Sequence, residues 1–195
     1  GTLGVKDGVL AFTFPDFAVT VEEEKKQAAD PKAAEEVKSE LNEIIGLNEV
    51  KDYVLSLEQN YIIQRLREAR GMKADVPTMH MIFTGNPGTG KTTIARLVSR
   101  YLKAMGVLSG GQLIEVTRAD LVGKYVGHTA PLTQQVIRSA LGGVLFIDEA
   151  YSLYRGADDS FGLEAIDTIV KGMEDHREDL IVILAGYTKE MEAFL

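Results

Sequence analysis

Cysteine is absent from this 195-residue chain, which excludes a disulfide framework, thiolate metal sites and a cysteine nucleophile. Its three histidines are scattered, and that argues against a zinc site. Long apolar runs are missing too. The longest, residues 180–185, falls far below the roughly 20 residues that cross a bilayer, and the N-terminus carries no basic segment followed by an apolar one. The expectation is a soluble, unexported, cytoplasmic protein without a membrane partner. Basic residues are the minority: 21 Lys and Arg face 29 Asp and Glu, a formal charge of -8 and the wrong sign for tracking a nucleic-acid backbone.

What is present suffices for one substantial core. Hydrophobic residues make up 45% of the chain and charged residues 26%, which excludes disordered and fibrous classes. Residues 1–43 hold 10 acidic and 5 basic residues and stand apart from the rest in composition. We expect an N-terminal extension over residues 1–40. It starts with an Asp7-Gly8 turn beside the alternating run Leu10-Ala11-Phe12-Thr13-Phe14, a short strand or hairpin. Residues 21–40, rich in Glu, Lys and Ala and broken by Asp30-Pro31, read as a solvated helix or linker.

From residue 41 to 195, helix-like and strand-like patterns alternate, as in a parallel sheet covered by helices on both faces. Val50, Val54, Leu57, Tyr61, Ile62 and Leu66 recur at helical spacing ahead of Gly71. Strands are expected at 79–84, 112–117, 143–148 and 180–186. Ile94, Leu97, Val98, Tyr101, Leu102 and Met105 predict one helix face ending at Gly106. Further helices are expected at 131–140 and 161–174, the last with Ser160 as N-cap and an apolar face of Leu163, Ile166, Val170 and Met173.

The most specific motif is Gly85-Asn86-Pro87-Gly88-Thr89-Gly90-Lys91-Thr92, which fits G-x-x-x-x-G-K-[ST] between a strand and a helix. Its glycines let backbone N–H groups converge on phosphate oxygens, the helix N-terminus favours an anion, and the Lys91 ammonium reaches the β- and γ-phosphates. Thr92 offers a hydroxyl to Mg²⁺, and Thr93 follows in the first helical turn. A second signal lies 57 residues beyond Lys91, where Val144-Leu145-Phe146-Ile147 ends in Asp148-Glu149. Carboxylates at the C-terminal tip of a buried strand face the ligand crevice of an open α/β sheet. Asp148 would hold Mg²⁺ and Glu149 would orient or deprotonate a water for attack on the γ-phosphate.

Two neighbouring classes fall away. Leu108-Ser109-Gly110-Gly111-Gln112 spells an ABC-transporter signature, but it lies only 17 residues after Lys91, between a helix end and a strand, and reads as a turn. No Asn-Lys-x-Asp segment is present to read a guanine base.

With these residues in view, the chain resembles the AAA+ ATPases, in the branch of CbbX-type rubisco activases and stage V sporulation protein K. The resemblance covers about residues 41–195. It rests on the phosphate loop and on Glu43-Ile44-Ile45-Gly46-Leu47, Arg118-Ala119-Asp120-Leu121-Val122-Gly123, Tyr125-Val126-Gly127-His128-Thr129-Ala130, Gly142-Gly143 through Tyr151, and Leu184-Ala185-Gly186-Tyr187. It implies a three-layer α/β P-loop NTPase fold, the AAA+ large subdomain, with a mostly parallel sheet. It further implies ATP and Mg²⁺ as ligands, with Ile45 and Gly46 contacting adenine and residues 86–93 cradling the phosphates. Tyr125, Val126 and Gly127 would form a pore loop in a ring, usually a hexamer, that pulls on a protein substrate. The loop at 154–160 reads either as a second pore loop or as a solvated connection, and His128 has no assigned role.

Where most such proteins place a sensing Asn, this chain has Gly186-Tyr187-Thr188, so the γ-phosphate sensor is Tyr187, Thr188 or neither. The chain also ends at Leu195, ahead of the family's arginine finger, fifth strand and helical lid. The resemblance therefore implies a truncated unit with weak or absent turnover, whose strand at 79–84 forms a sheet edge unless the run at 10–14 or another chain covers it. The leading function is an ATPase acting as a chaperone-like remodeller of an unidentified protein partner, whether a rubisco, a sporulation factor or another. The alternatives are a small-molecule phosphotransferase and a nucleotide-dependent scaffold.

Overall fold

The computed structural model describes residues 2–6, 9–14, 17–20, 29–43, 48–72, 78–86 and 88–194. Strands β1 (Thr2–Lys6), β2 (Val9–Phe14) and β3 (Phe17–Thr20) form an antiparallel sheet by themselves. Thr2 pairs with Thr13 and Phe14 with Phe17. The Asp7-Gly8 dipeptide lies outside the described residues.

Helix α1 (Pro31–Glu43) starts where a break was expected. Asp30 Oδ1 accepts from the amides of Lys32 and Ala33 at 3.1 and 3.2 Å, and Pro31 fills the first helical position, which needs no N–H donor. The helix is not a solvated linker: Val37 and Leu41 are buried and Ala34 packs beside them. Arg100, on a later helix, holds Glu40 through two bonds of 2.7 and 2.9 Å. The helix runs unbroken through residues 40 and 41. Helix α2 (Asn48–Ala69) buries Val54 and Leu57 and half-buries Tyr61, but leaves Ile62 and Leu66 largely exposed, so only its first half follows the predicted face.

The main sheet holds four parallel strands, β4 (Met81–Thr84), β5 (Leu113–Val116), β6 (Val144–Ile147) and β7 (Ile181–Gly186), in the order β4-β7-β6-β5. The central strands β6 and β7 are apolar at nearly every position because both faces are covered. Alternation divides their side chains between two cores. Val144, Phe146, Ile181 and Ile183 pack with α1, α2 and α3 (Lys91–Ala104), whereas Leu145, Ile147, Leu180 and Val182 pack with α5 (Thr129–Ala140), α6 (Ser160–Asp175) and α7 (Thr188–Phe194). The result is the three-layer α/β arrangement expected. Short α4 (Arg118–Leu121) follows β5, and a 3₁₀ turn over Ala150–Leu153 follows β6. Edge strand β4 leaves Ile82 47% exposed, and no strand pairs with its outer side among the described residues.

Helix α6 corrects two expectations. Its N-cap is Asp159, whose carboxylate accepts from the Gly162 amide, so Ser160 is already helical. Its buried stripe is Gly162, Ala165, Ile169 and Gly172, with Ile166 and Met173 half-buried, while Leu163 is 37% and Val170 57% exposed. Small residues set that face: a Cβ on Gly172 would stand 2.8 Å from Ile137 on α5, so glycine lets the two helices close.

His80 extends the pairing just before β4. Its Nδ1 accepts the Val182 amide at 3.0 Å, so the imidazole must be neutral there, and burial pushes its pKa below the ordinary histidine value. The unfolded chain takes up this proton more readily than the native one. Stability from the neutral ring is therefore complete above about pH 6.5 and is lost as pH falls below it. Urea titrations between pH 7.5 and 5.5 should show a falling midpoint that His80→Ala flattens, the variant itself losing about 1–2 kcal/mol at pH 7.5. An unchanged slope in the variant would reject this origin.

Candidate functional site

The loop from Gly85 to Gly90 joins the C-terminal end of β4 to the start of α3. Its root is tied to the neighbouring strand, since the Gly85 amide donates to Gly186 O at 3.1 Å. Gly88 and Gly90 take left-handed backbone angles of φ 74° and 82°, which a side chain adopts only under strain. Thr89 Oγ1 donates to Asn86 O at 2.8 Å and holds the turn. Helix α3 opens without an acidic residue in its first turn, so its positive end is not neutralised locally. Lys91 Nζ folds across the loop, donating to Gly85 O at 2.9 Å and Asn86 O at 3.1 Å.

Two strands away, β6 delivers Asp148 and Glu149 to the same end of the sheet. The Asp148 amide donates to Val116 O at 2.9 Å, and its Oδ1 accepts the Glu149 amide at 3.0 Å. Glu149 has φ 48°, the one non-glycine residue with a positive φ among the described residues. Such a backbone costs about 1–2 kcal/mol and tends to persist at functional positions.

Tyr187, directly after β7, bridges the two halves. Its ring centre lies 5.6 Å from Lys91 Nζ, and its hydroxyl is 3.5 Å from Glu149 Oε1, a long contact. Tyr151 packs on it at 5.9 Å. For both phenols, burial first and the Glu149 charge next push the pKa above the ordinary tyrosine value, so both stay protonated donors at neutral pH.

The sequence-predicted residues Asn86, Gly88, Thr89, Gly90, Lys91, Thr92, Asp148, Glu149 and Tyr187 therefore converge at the C-terminal ends of the parallel strands, while Thr93 is exposed in the first turn of α3. Ile45, Gly46 and Pro87 lie outside the described residues. Glu115 was missed: its Oε1 accepts the Thr92 hydroxyl at 3.3 Å. A lone acid on a four-residue edge strand reads as solvent-facing, and only the tertiary pairing shows its neighbour. The donor set fits a phosphate ligand with a hard cation, offering an ammonium, open glycine backbone, a hydroxyl and carboxylates. Among the described residues no group of three His, Cys, Asp or Glu could hold a metal ion.

Tyr125 and Val126 occupy a separate turn and are 68% and 86% exposed. Gly127 has φ 79°, and the Tyr125 ring meets His128 edge-on at 5.5 Å. An apolar groove of about 440 Å³ lined by Ala34, Tyr61, Ile62, Leu66 and Met105 lies at the far end of α3, roughly 20 Å along the helix from Lys91, and takes no part in this site. No helix among the described residues is long and apolar enough to cross a membrane.

Comparison with known proteins gives the family. Residues 81–194 match the model of the AAA family, "ATPase family associated with various cellular activities". Stage V sporulation protein K of Bacillus subtilis (strain 168) is 48% identical over 171 residues, which cover 88% of this chain and 53% of that protein. Protein CbbX of Cereibacter sphaeroides is 50% identical over 163 residues, covering 83% and 53%. The chloroplastic ribulose bisphosphate carboxylase/oxygenase activase of Cyanidioschyzon merolae (strain NIES-3377 / 10D) is 51% identical over 154 residues, covering 78% and 50%. The chain thus spans about half the length of these relatives. The solved FIGL-1 AAA domain in complex with ADP shares the fold, with a TM-score of 0.51 at 23% identity over 74% of this chain and 48% of that one.

The left-handed backbone at Glu149 yields a test of stored strain. Asn tolerates that conformation better than Glu, so Glu149→Asn should leave stability unchanged or raise it by up to about 1 kcal/mol. Thermal melts decide it, and a loss above that size would show that the carboxylate stabilises the fold.

Proposed function

The chain belongs to the AAA family of ATPases, in the branch of stage V sporulation protein K and CbbX, and from this we propose that it binds Mg-ATP and hydrolyses it to remodel a protein partner drawn past Tyr125 in a ring. The observation that carries the reading is the convergence of Lys91, Asp148, Glu149 and Tyr187 at one end of the parallel sheet. Lys91 gives up its two loop carbonyls to reach the β- and γ-phosphates, while the loop amides and the α3 N-terminus take the remaining phosphate charge. The Thr92 hydroxyl and the Asp148 carboxylate would hold Mg²⁺, which would supply charge neutralisation to the phosphates.

Glu149 accepts a proton from the attacking water, whose oxygen bonds to the γ-phosphorus as the bond to ADP breaks. Tyr187 keeps that carboxylate turned toward the site, and its position between Lys91 and Glu149 suits the γ-phosphate sensor. Ile45 and Gly46 contact adenine, and Asn86, Pro87 and Thr93 complete the phosphate cradle. Tyr125, Val126 and Gly127 present an exposed aromatic-aliphatic tip fitted to grip an extended polypeptide by apolar contact. The acidic net charge speaks for a protein partner rather than a nucleic acid or an anionic membrane.

Three measurements test this. Titration of a fluorescent ADP should show Lys91→Ala binding at least about tenfold more weakly, equivalent to about 1.4 kcal/mol. In a chain extended to the full length of its relatives, phosphate release should fall about 10²–10⁴-fold with Glu149→Gln at unchanged ADP affinity. Sedimentation with Mg²⁺ and a non-hydrolysable ATP analogue should show nucleotide-driven assembly that Lys91→Ala abolishes. Tight nucleotide binding by Lys91→Ala would overturn the site.

A further inference from the structure

Arg118, the first residue of α4, is turned away from solvent into a contact that links three elements. Its Nη1 donates to Ser152 O and Leu153 O at 3.0 Å each and to Asp159 Oδ2 at 2.6 Å, while Nη2 donates to Asp159 Oδ1 at 2.8 Å. Both side chains are mostly buried, at 16% and 14% exposure. Asp159 is already committed, because the same carboxylate caps α6 through the Gly162 amide at 3.1 Å. The Arg118 hydrogen bonds hold its carboxyl well down, to about 2, so the pair stays charged across the physiological range. Gly162 leaves room for the contact, since a Cβ there would stand 2.8 Å from Arg118 Nη1 and overlap the Leu153 carbonyl.

The two carbonyls belong to the end of the 3₁₀ turn that Glu149 opens. On the other side, Arg118 leads directly to the exposed Tyr125 turn. That path is stiff. Leu121 is fully buried, and its carbonyl and the Thr129 carbonyl share the Thr133 hydroxyl at 2.8 and 2.9 Å. Gly123 N donates to Thr129 Oγ1 at 3.1 Å, leaving residues 124–128 to project. A displacement of this Glu149 strap, residues 149–153, therefore cannot leave α4 behind without breaking the two charge-assisted bonds to its carbonyls, while the two bonds to Asp159 tie the following connection to the same guanidinium in a poorly hydrated setting.

We propose that Arg118 is a positioning residue that transmits the nucleotide state of the Glu149 strap to the Tyr125 turn. The inference rests on the roles given above to Glu149 and Tyr125. A planar guanidinium is suited to it because one group meets two carbonyls and both carboxylate oxygens at once, which an ammonium cannot. Asp159 brings the 154–159 connection into the same linkage, so that segment moves with the first turn.

The chain has no tryptophan, so Tyr125→Trp places a single indole at the projecting tip. Its emission is followed while Mg²⁺ and ATPγS are added, with ATPγS affinity measured separately by calorimetry, in backgrounds carrying Arg118, Arg118→Met or Arg118→Lys. The expected result is an emission change with Arg118 that shrinks at least about fivefold in both variants at unchanged affinity. Arg118→Lys keeps a cation against Asp159, and it decides the matter if Arg118→Met fails to bind ATPγS. A full emission change in a variant that binds overturns the Arg118 linkage and leaves the Tyr125 reading standing. No change in the Arg118 background, with ATPγS bound, overturns both.

Discussion

Burial of β6 and β7 on both faces is the constraint on which the rest of the molecule depends. Because the two strands alternate their side chains between separate cores, helices cover each face, and as crossovers between strands those helices let the strands run parallel. Parallel strands end together. That common end gathers the loop after β4, the acids after β6 and Tyr187 after β7 into one crevice, although they are far apart along the chain. The chemistry of the site is a consequence of how the core is packed.

Local conformation then refines what topology brings together. The left-handed glycines at 88 and 90 open the loop, and the left-handed Glu149 turns the chain out of β6 immediately after Asp148. The tyrosines at 151 and 187 frame the carboxylate, and Lys91 rests on its own loop carbonyls in a conformation that a phosphate would outcompete. In this arrangement the positive and negative groups face each other across a gap closed by an aromatic ring.

The strand, loop and helix from 81 to 104 were legible because apolar runs and fixed glycine and lysine spacings encode them directly. The burial of helix α1 was not, since Ala34, Val37 and Leu41 make a thin stripe among charges and only the partner surface on α3 reveals its use. The face of α6 was misjudged because glycine adds nothing to a hydrophobicity pattern while marking the closest approach of two helices. At the site, Lys91, Thr92, Asp148 and Glu149 were readable from motif and position. Glu115 and Arg118 were not, because their partners lie 23 and 34 to 41 residues away in sequence. Only folding defines such pairs.

The two margins of the main sheet differ in kind. Along β5 the charge of Glu115 interrupts the apolar row and discourages another strand. Along β4 the row Met81-Ile82-Phe83-Thr84 carries no charge and Ile82 remains half-open. The sheet is therefore directional, with one terminated side and one extensible side. Whatever strand is added, from the same polypeptide or from a neighbour, meets the molecule beside the root of the phosphate loop, so sheet growth and nucleotide occupancy share a boundary.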